Sequence, residues 1–263
     1  MKRRRTDPLT SFLAWLAIIV VAAPIVAIFV KVPWSTFLTS LRSNGSLTAV
    51  WLSIWTSLLA GLICLLLGVP LAWWLAKGRN RVTTIVRPIV LAPIALPPTV
   101  AGLAMLGLLS RTGLLGRPIF KVFNWQMPFT TSAVIFAGVF VGLPFLVLVS
   151  ESTFRQLPRD VQDAAEIDQA TPSQVFRLIA IPQSESGIVT GLVLAWARIL
   201  GEFGATMMFA GSLPGTTQTW TMAIYQELDI NPDTAYSLSL LMVLISVSLI
   251  FFLRKPITQA FAS

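Results

Sequence analysis

The stretch Leu157-Pro-Arg159-Asp-Val-Gln-Asp163-Ala164-Ala165-Glu166-Ile-Asp168-Gln169-Ala170-Thr-Pro172-Ser-Gln-Val175-Phe176-Arg177-Leu-Ile179-Ala-Ile181-Pro182 is a polar island between two apolar runs. The runs on either side cover residues 130–149 and 186–210, and a bilayer span takes about 20 largely apolar residues. The island therefore stands where a membrane protein has a surface loop. Its pattern predicts one or two short helices, with charges outside and Ala164, Ala165, Val175, Phe176 and Ile179 as apolar anchors.

Composition carries the same reading to the whole chain. Of 263 residues, 55% are hydrophobic and only 11% charged, and the mean hydropathy is +0.78. A soluble domain carries about 25% charged residues. So little charge cannot clothe a water-facing surface, and lipid is the solvent for much of the chain. The net charge of +8 does not point to nucleic acid, because the basic residues are scattered through short connections between apolar runs. Cys64 is the single cysteine and there is no histidine. That excludes a disulfide framework and a thiolate metal site, and removes the commonest general base.

Four further apolar runs, at residues 9–30, 47–76, 85–109 and 235–253, bring the expected spans to about six. The first follows Lys2-Arg3-Arg4-Arg5 but exceeds the roughly 7–15 apolar residues of a signal-peptide core, so a retained helix is expected. On alternate sides of six spans the basic residues divide thirteen to five, with Arg198 inside the membrane. The richer side holds both termini, the loop beginning at Lys77 and the polar island, and is expected to be cytoplasmic. The fold class is an all-α polytopic membrane protein, one domain over residues 1–263. The inner four or five helices form the working core, with the first helix, about 9–30, peripheral.

Two places inside the apolar runs are chemically unusual. Pro93, Pro97 and Pro98, followed by Thr99, predict a kinked or broken third helix, since each proline removes a backbone donor and crowds the preceding turn. The break is either a structural kink or part of a pathway, because freed carbonyls need protein or water around them. In the fifth run Arg198 and Glu202 stand four apart, within pairing reach on a helix, with Thr206 one turn further. Arg198 would lie about 18 Å into the membrane from Ser186. Intramembrane charges are costly and face a bundle interior or a water-filled path. The pair either neutralises the lining of a path or touches a substrate. Gly138-x-x-x-Gly142 and Gly187-x-x-x-Gly191 read as close helix packing. Residues 216–228 form an amphipathic pattern with Trp220, Ile224 and Leu228 on one face. It is read as a helix lying at the interface, or as a contact for an external protein.

The spacing of the island resembles the "EAA" loop of bacterial ABC-importer permeases, with Asp163-Ala164-Ala165, Gln169, Ile179 and Ile181-Pro182 at the matching positions. Asp163 replaces the family's Glu and Gln169 its Gly. The string Ala197-Arg198-Ile-Leu-Gly201-Glu202-Phe-Gly204-Ala-Thr206, with Met208-Phe-Ala-Gly211 and Thr217-Gln-Thr219 beyond it, resembles molybdate/tungstate permeases. Sulfate/thiosulfate permeases share its Arg-x-x-Gly-Glu-Phe-Gly portion, so that portion points to the oxyanion group and the extension to molybdate/tungstate. The resemblance implies a cytoplasmic coupling loop, about 155–182, in which Arg159, Asp163, Ala164, Ala165, Glu166, Gln169, Ala170 and Phe176 meet an ATPase subunit. It also implies a translocation path or gate near Pro97, Pro98, Thr99, Arg198, Glu202 and Thr206.

The function implied is that of the membrane-spanning subunit of an ATP-driven importer of molybdate or tungstate, acting by alternating access in the cell membrane. Its implied partners are a second copy of itself, two ATP-binding cassette subunits and an extracytoplasmic oxyanion-binding protein. No G-x-x-x-x-G-K-[ST] phosphate loop occurs, so nucleotide hydrolysis is expected from a partner, and neither cofactor nor metal is expected in this chain. A sulfate/thiosulfate permease is the alternative within the class. A stand-alone channel or carrier would have no use for an ATPase-docking loop. An intramembrane enzyme would need a nucleophile, base or metal set that the sequence lacks.

Overall fold

The computed structural model describes residues 7–42, 45–78, 80–158 and 169–252, and these residues form helices and connections without a strand. Helix α1 (Pro8–Lys31) begins with proline at its first turn, where a missing N–H costs nothing. It is apolar all round and buries none of its residues. A short α2 (Phe37–Leu41) leads to α3 (Ser46–Lys77), whose 32 residues span about 48 Å at 1.5 Å each. One face of α3 carries Ala49, Ser53, Thr56, Ala60, Cys64, Gly68 and Ala72, all buried. Small residues at this three-to-four spacing let α7 (Thr131–Gln156) and α9 (Glu185–Leu200) lie close against α3. That packing is the centre of the fold.

Between α3 and α7 the third apolar run is broken. Helix α4 (Arg81–Ala95) and α5 (Pro98–Leu109) meet at a bend of 120°. Leu96 and Pro97 each precede a proline and are extended, at ψ 133° and 136°, because the following ring excludes the helical region. An exposed amphipathic helix, α6 (Gly116–Phe123), connects α5 to α7.

After the undescribed residues 159–168 comes α8 (Pro172–Gln183), which contains a π-helical turn at Val175–Ala180 and meets α9 at 76°. Its start is a capping box, in which Thr171 Oγ1 accepts from Gln174 N and Gln174 Oε1 accepts from Thr171 N. Three helices then close the bundle: α10 (Gly204–Ala210), α11 (Trp220–Ile230) and α12 (Pro232–Phe252).

By length and composition α1, α3 and α7 are single candidate spans, and the two bent pairs α4–α5 and α8–α9 raise the number to five. Helix α12 stands where the sixth apolar run was expected, and its Pro232–Ser248 portion counts as a shorter apolar helix. The fifth expected run, 186–210, is not one helix. It stops at Leu200 and resumes at Gly204, since Gly201 and Gly204 flank a turn that a continuous helix would have to bridge. The interface reading of residues 216–228 is also corrected. Trp220 is fully buried, its N–H donates to Ser53 Oγ at 2.6 Å and its indole to the Leu238 carbonyl at 3.2 Å. Trp220, Met222, Ala223 and Glu227 face inward while Leu228 is exposed, so α11 is wedged between α3 and α12.

Candidate functional site

The two broken spans meet each other. A Cβ on Gly204 would stand 2.7 Å from Pro98 Cβ, and one on Gly102 would stand 2.5 Å from Met208 Cβ. Both contacts are closer than any side chain permits, so glycine is what lets the start of α5 lie on α10. Pro97, Pro98 and Thr99 are exposed on the open side of this crossing.

Glu202 sits in the gap between α9 and α10, beyond the helix that carries Arg198. The pair nonetheless forms, because Glu202 N donates to the Ile199 carbonyl at 3.1 Å and the tight turn preserves the four-residue approach. Arg198 Nη1 is 2.5 Å from Glu202 Oε2, with the arginine side chain 33% exposed and the glutamate 3%. The other carboxylate oxygen accepts from Ala205 N at 2.8 Å, supplying one of the acceptors that the start of α10 lacks. The Glu202 carbonyl accepts from Thr221 Oγ1 at 2.8 Å, which ties α11 to the same turn. Thr206 joins Glu202, Ser53, Thr56, Ser57 and Thr219, with Val134, Ile199 and Leu200, around a narrow crevice. It leaves about 20 Å³ for the centre of a water-sized molecule, enough for one water and far too small for an oxyanion.

At the other end of α9, the segment expected to couple to an ATPase is described from Gln169 onward. Arg159, Asp163, Ala164, Ala165 and Glu166 lie outside the described residues. Gln169 has φ 56°, the left-handed region that favours glycine, and it occupies the position where the resembled motif has Gly. A residue with a Cβ thus holds a backbone conformation that glycine adopts freely. Ala170 is half-buried beside Pro172 and Val175 in a concavity shared with Trp73 and Lys77. Phe176 stacks at 5.8 Å from the Trp73 ring and 6.5 Å from Phe154, and Trp73 meets Phe154 edge-on at 5.3 Å. One aromatic cluster therefore joins the segment to α3 and α7.

Beside this cluster is a group that sequence reasoning missed. Glu151 is buried in α7, and its Oε1 lies 2.7 Å from Arg87 Nη2 and 2.9 Å from Arg155 Nη2. Both arginines also donate to the Leu75 carbonyl near the end of α3, each at 3.2 Å. Arg87 and Arg155 were counted only as topology signals. A glutamate at the end of an apolar run, four residues before Arg155, was the available sign of more. Among the described residues, no group of three His, Cys, Asp or Glu side chains is placed to hold a metal ion.

Helices without a strand among the described residues, with several apolar spans and an intramembrane ion pair, define a polytopic membrane protein. Residues 68–256 match the family described as binding-protein-dependent transport system inner membrane component. The molybdenum transport system permease protein ModB of Mycobacterium tuberculosis is 41% identical over 87% of this chain and 86% of its own length. The ModB of Azotobacter vinelandii is 30% identical over 71% of this chain and 83% of its own. The sulfate transport system permease protein CysT of Synechocystis is 32% identical over 78% and 71%. Among solved structures, the fold matches a chain of a bacterial alginate ABC transporter, in complex with an alginate-bound periplasmic protein, at TM-score 0.75. That match has 16% identity and covers 93% of this chain and 91% of the other. A chain of the inward-facing MetNI methionine ABC transporter matches at TM-score 0.63, with 18% identity and 81% and 94% coverage. The chain belongs to the binding-protein-dependent inner-membrane family, as an ABC-transporter permease subunit similar to the ModB type.

Proposed function

We propose that this permease imports a tetrahedral oxyanion, molybdate or tungstate, into the cytoplasm, driven by ATP hydrolysis in a separate subunit. The observation that carries the reading is the 41% identity, over 87% of the chain, to a permease named for molybdenum transport. The working unit is two copies of this chain, two ATP-binding cassette subunits docked at the segment around Gln169–Phe176, and an extracytoplasmic oxyanion-binding protein. Both termini lie in the cytoplasm, and the chain itself carries no cofactor.

In this reading, as the family resemblance implies, the path runs between the two copies. ATP binding draws the ATPases together, moves the docked segments and rocks the helices between inward-open and outward-open states. Arg198 and Glu202 neutralise each other beside the path. A bare carboxylate there would repel a dianion, and a bare guanidinium would hold it against release. The test is reconstitution of the permease with its ATPase and binding protein in liposomes. ATP-dependent uptake of molybdate or tungstate in preference to sulfate is expected. Preferential sulfate uptake would overturn the substrate assignment, and uptake without the ATPase subunit would overturn the class.

A further inference from the structure

The cluster Arg87–Glu151–Arg155 has a position that its chemistry alone does not require. Glu151 is 6% exposed, at the end of α7 that faces the coupling segment, and a single carboxylate oxygen receives both guanidinium groups. Arg87 Nε donates to it at 2.8 Å and Arg155 Nε at 2.9 Å. The two arginines then turn together onto the Leu75 carbonyl, near the C-terminal end of α3, where backbone acceptors lack helical partners. Three helices are thereby pinned at one point: α3 through its backbone, α4 through Arg87 and α7 through Glu151 and Arg155.

One turn along α7, Phe154 belongs to the aromatic cluster that receives Phe176 from α8. In the other direction α4 runs to Pro97–Pro98 and its 120° bend, and α5 beyond the bend lies on α10 through Gly102 and Gly204. Helix α10 is the one that Glu202 caps. A contiguous set of packed contacts thus joins the coupling segment to the turn bearing the intramembrane pair. Among the described residues, Arg87 is the only side chain on α4 seen to donate hydrogen bonds to α3 and α7.

We propose that the Arg87–Glu151–Arg155 clasp is the joint that makes α4 follow the coupling segment, so that Arg87 and Glu151 are positioning residues for transport. This rests on the ATP-driven import proposed above. A flexible contact at this point would let α8 move while α4 and the α5–α10 crossing stayed behind. A charged fork shared between a carboxylate and a carbonyl resists such slippage, because sliding α4 would strip Arg87 from both acceptors at once and leave the buried Glu151 with Arg155 alone.

The test uses the reconstituted complex of permease, ATPase and binding protein, with Arg87→Met and Glu151→Gln. Both variants are expected to assemble, at reduced yield, and the assembled complexes to keep hydrolysing ATP, while oxyanion moved per ATP in them falls about tenfold. Spin labels at the exposed positions Val82 on α4 and Leu178 on α8 supply a readout that mere stabilisation does not move. Their separation should stay constant on ATP binding in wild type and change in Arg87→Met. Unchanged transport per ATP in both variants overturns the clasp alone, as does loss of assembly in proportion to uptake. A wild-type complex that hydrolyses ATP without importing any oxyanion overturns the functional reading beneath it.

Discussion

Removing the charge of Glu202 tests how the intramembrane pair acts, and the structure sets the size of the effect. Glu202 is buried, makes an ion pair with Arg198 and accepts a hydrogen bond from Ala205 N. Glu202→Gln keeps an acceptor for Ala205 N and leaves the guanidinium without its counter-charge. Breaking a fully buried pair costs about 3–5 kcal/mol. Arg198 is one-third exposed, which reduces the expected loss to about 2 kcal/mol. Glu202→Ala also removes the cap on α10, adding about 1 kcal/mol. Combining Arg198→Met with Glu202→Gln removes both charges, and should be more stable than Glu202→Gln alone by about 1 kcal/mol. The assay is unfolding of the purified permease by SDS titration in mixed micelles, read as a double-mutant cycle. A cycle without interaction energy would refute the reasoning. So would a Glu202→Gln permease of wild-type stability that carries a different oxyanion, for then the pair reads substrate instead of neutralising the path.

Three further outcomes are expected. Gln169→Gly should stabilise the coupling segment by about 1 kcal/mol, the cost of holding a residue with a Cβ in the left-handed region, while Gln169→Val should weaken co-purification of the ATPase subunit. Gly204→Leu places side-chain atoms inside Pro98 and should cost about 3 kcal/mol or prevent folding, whereas Gly107→Leu, with open space around it, should be tolerated in the same unfolding assay. In a Cys64→Ala background, a membrane-impermeant thiol reagent applied outside should label cysteines at Asn124 and Asp229 but not at Arg81 or Gln169. External labelling at Gln169 would reverse the topology and remove the docking role.

What the sequence determined by itself was much of what depends on residues near each other in the chain. Apolar runs of span length made helices, because a backbone in lipid must satisfy its own hydrogen bonds. Pro97 and Pro98 broke the third run because a proline constrains both itself and the residue before it. The island from Leu157 to Pro182 stood out as a polar break between spans, and Gln169, where the resembled motif has glycine, has a left-handed backbone. Arg198 and Glu202 were legible as a pair, being four residues apart.

Only the tertiary structure decided the contacts between distant segments. Arg87 and Glu151 are 64 positions apart and Arg155 reaches Leu75 across 80, so no local pattern marks them as one clasp. Trp220 looked like part of an interface-lying stripe until its indole was found donating to Leu238 beneath the adjacent helix. The fifth run read as a continuous helix because hydropathy does not register the turn at Gly201–Phe203. That turn is held by partners brought from elsewhere, with Thr221 on the Glu202 carbonyl and Pro98 against Gly204. Hydropathy and periodicity report what a segment prefers alone, whereas a break in a span is set by which neighbour satisfies the groups it frees.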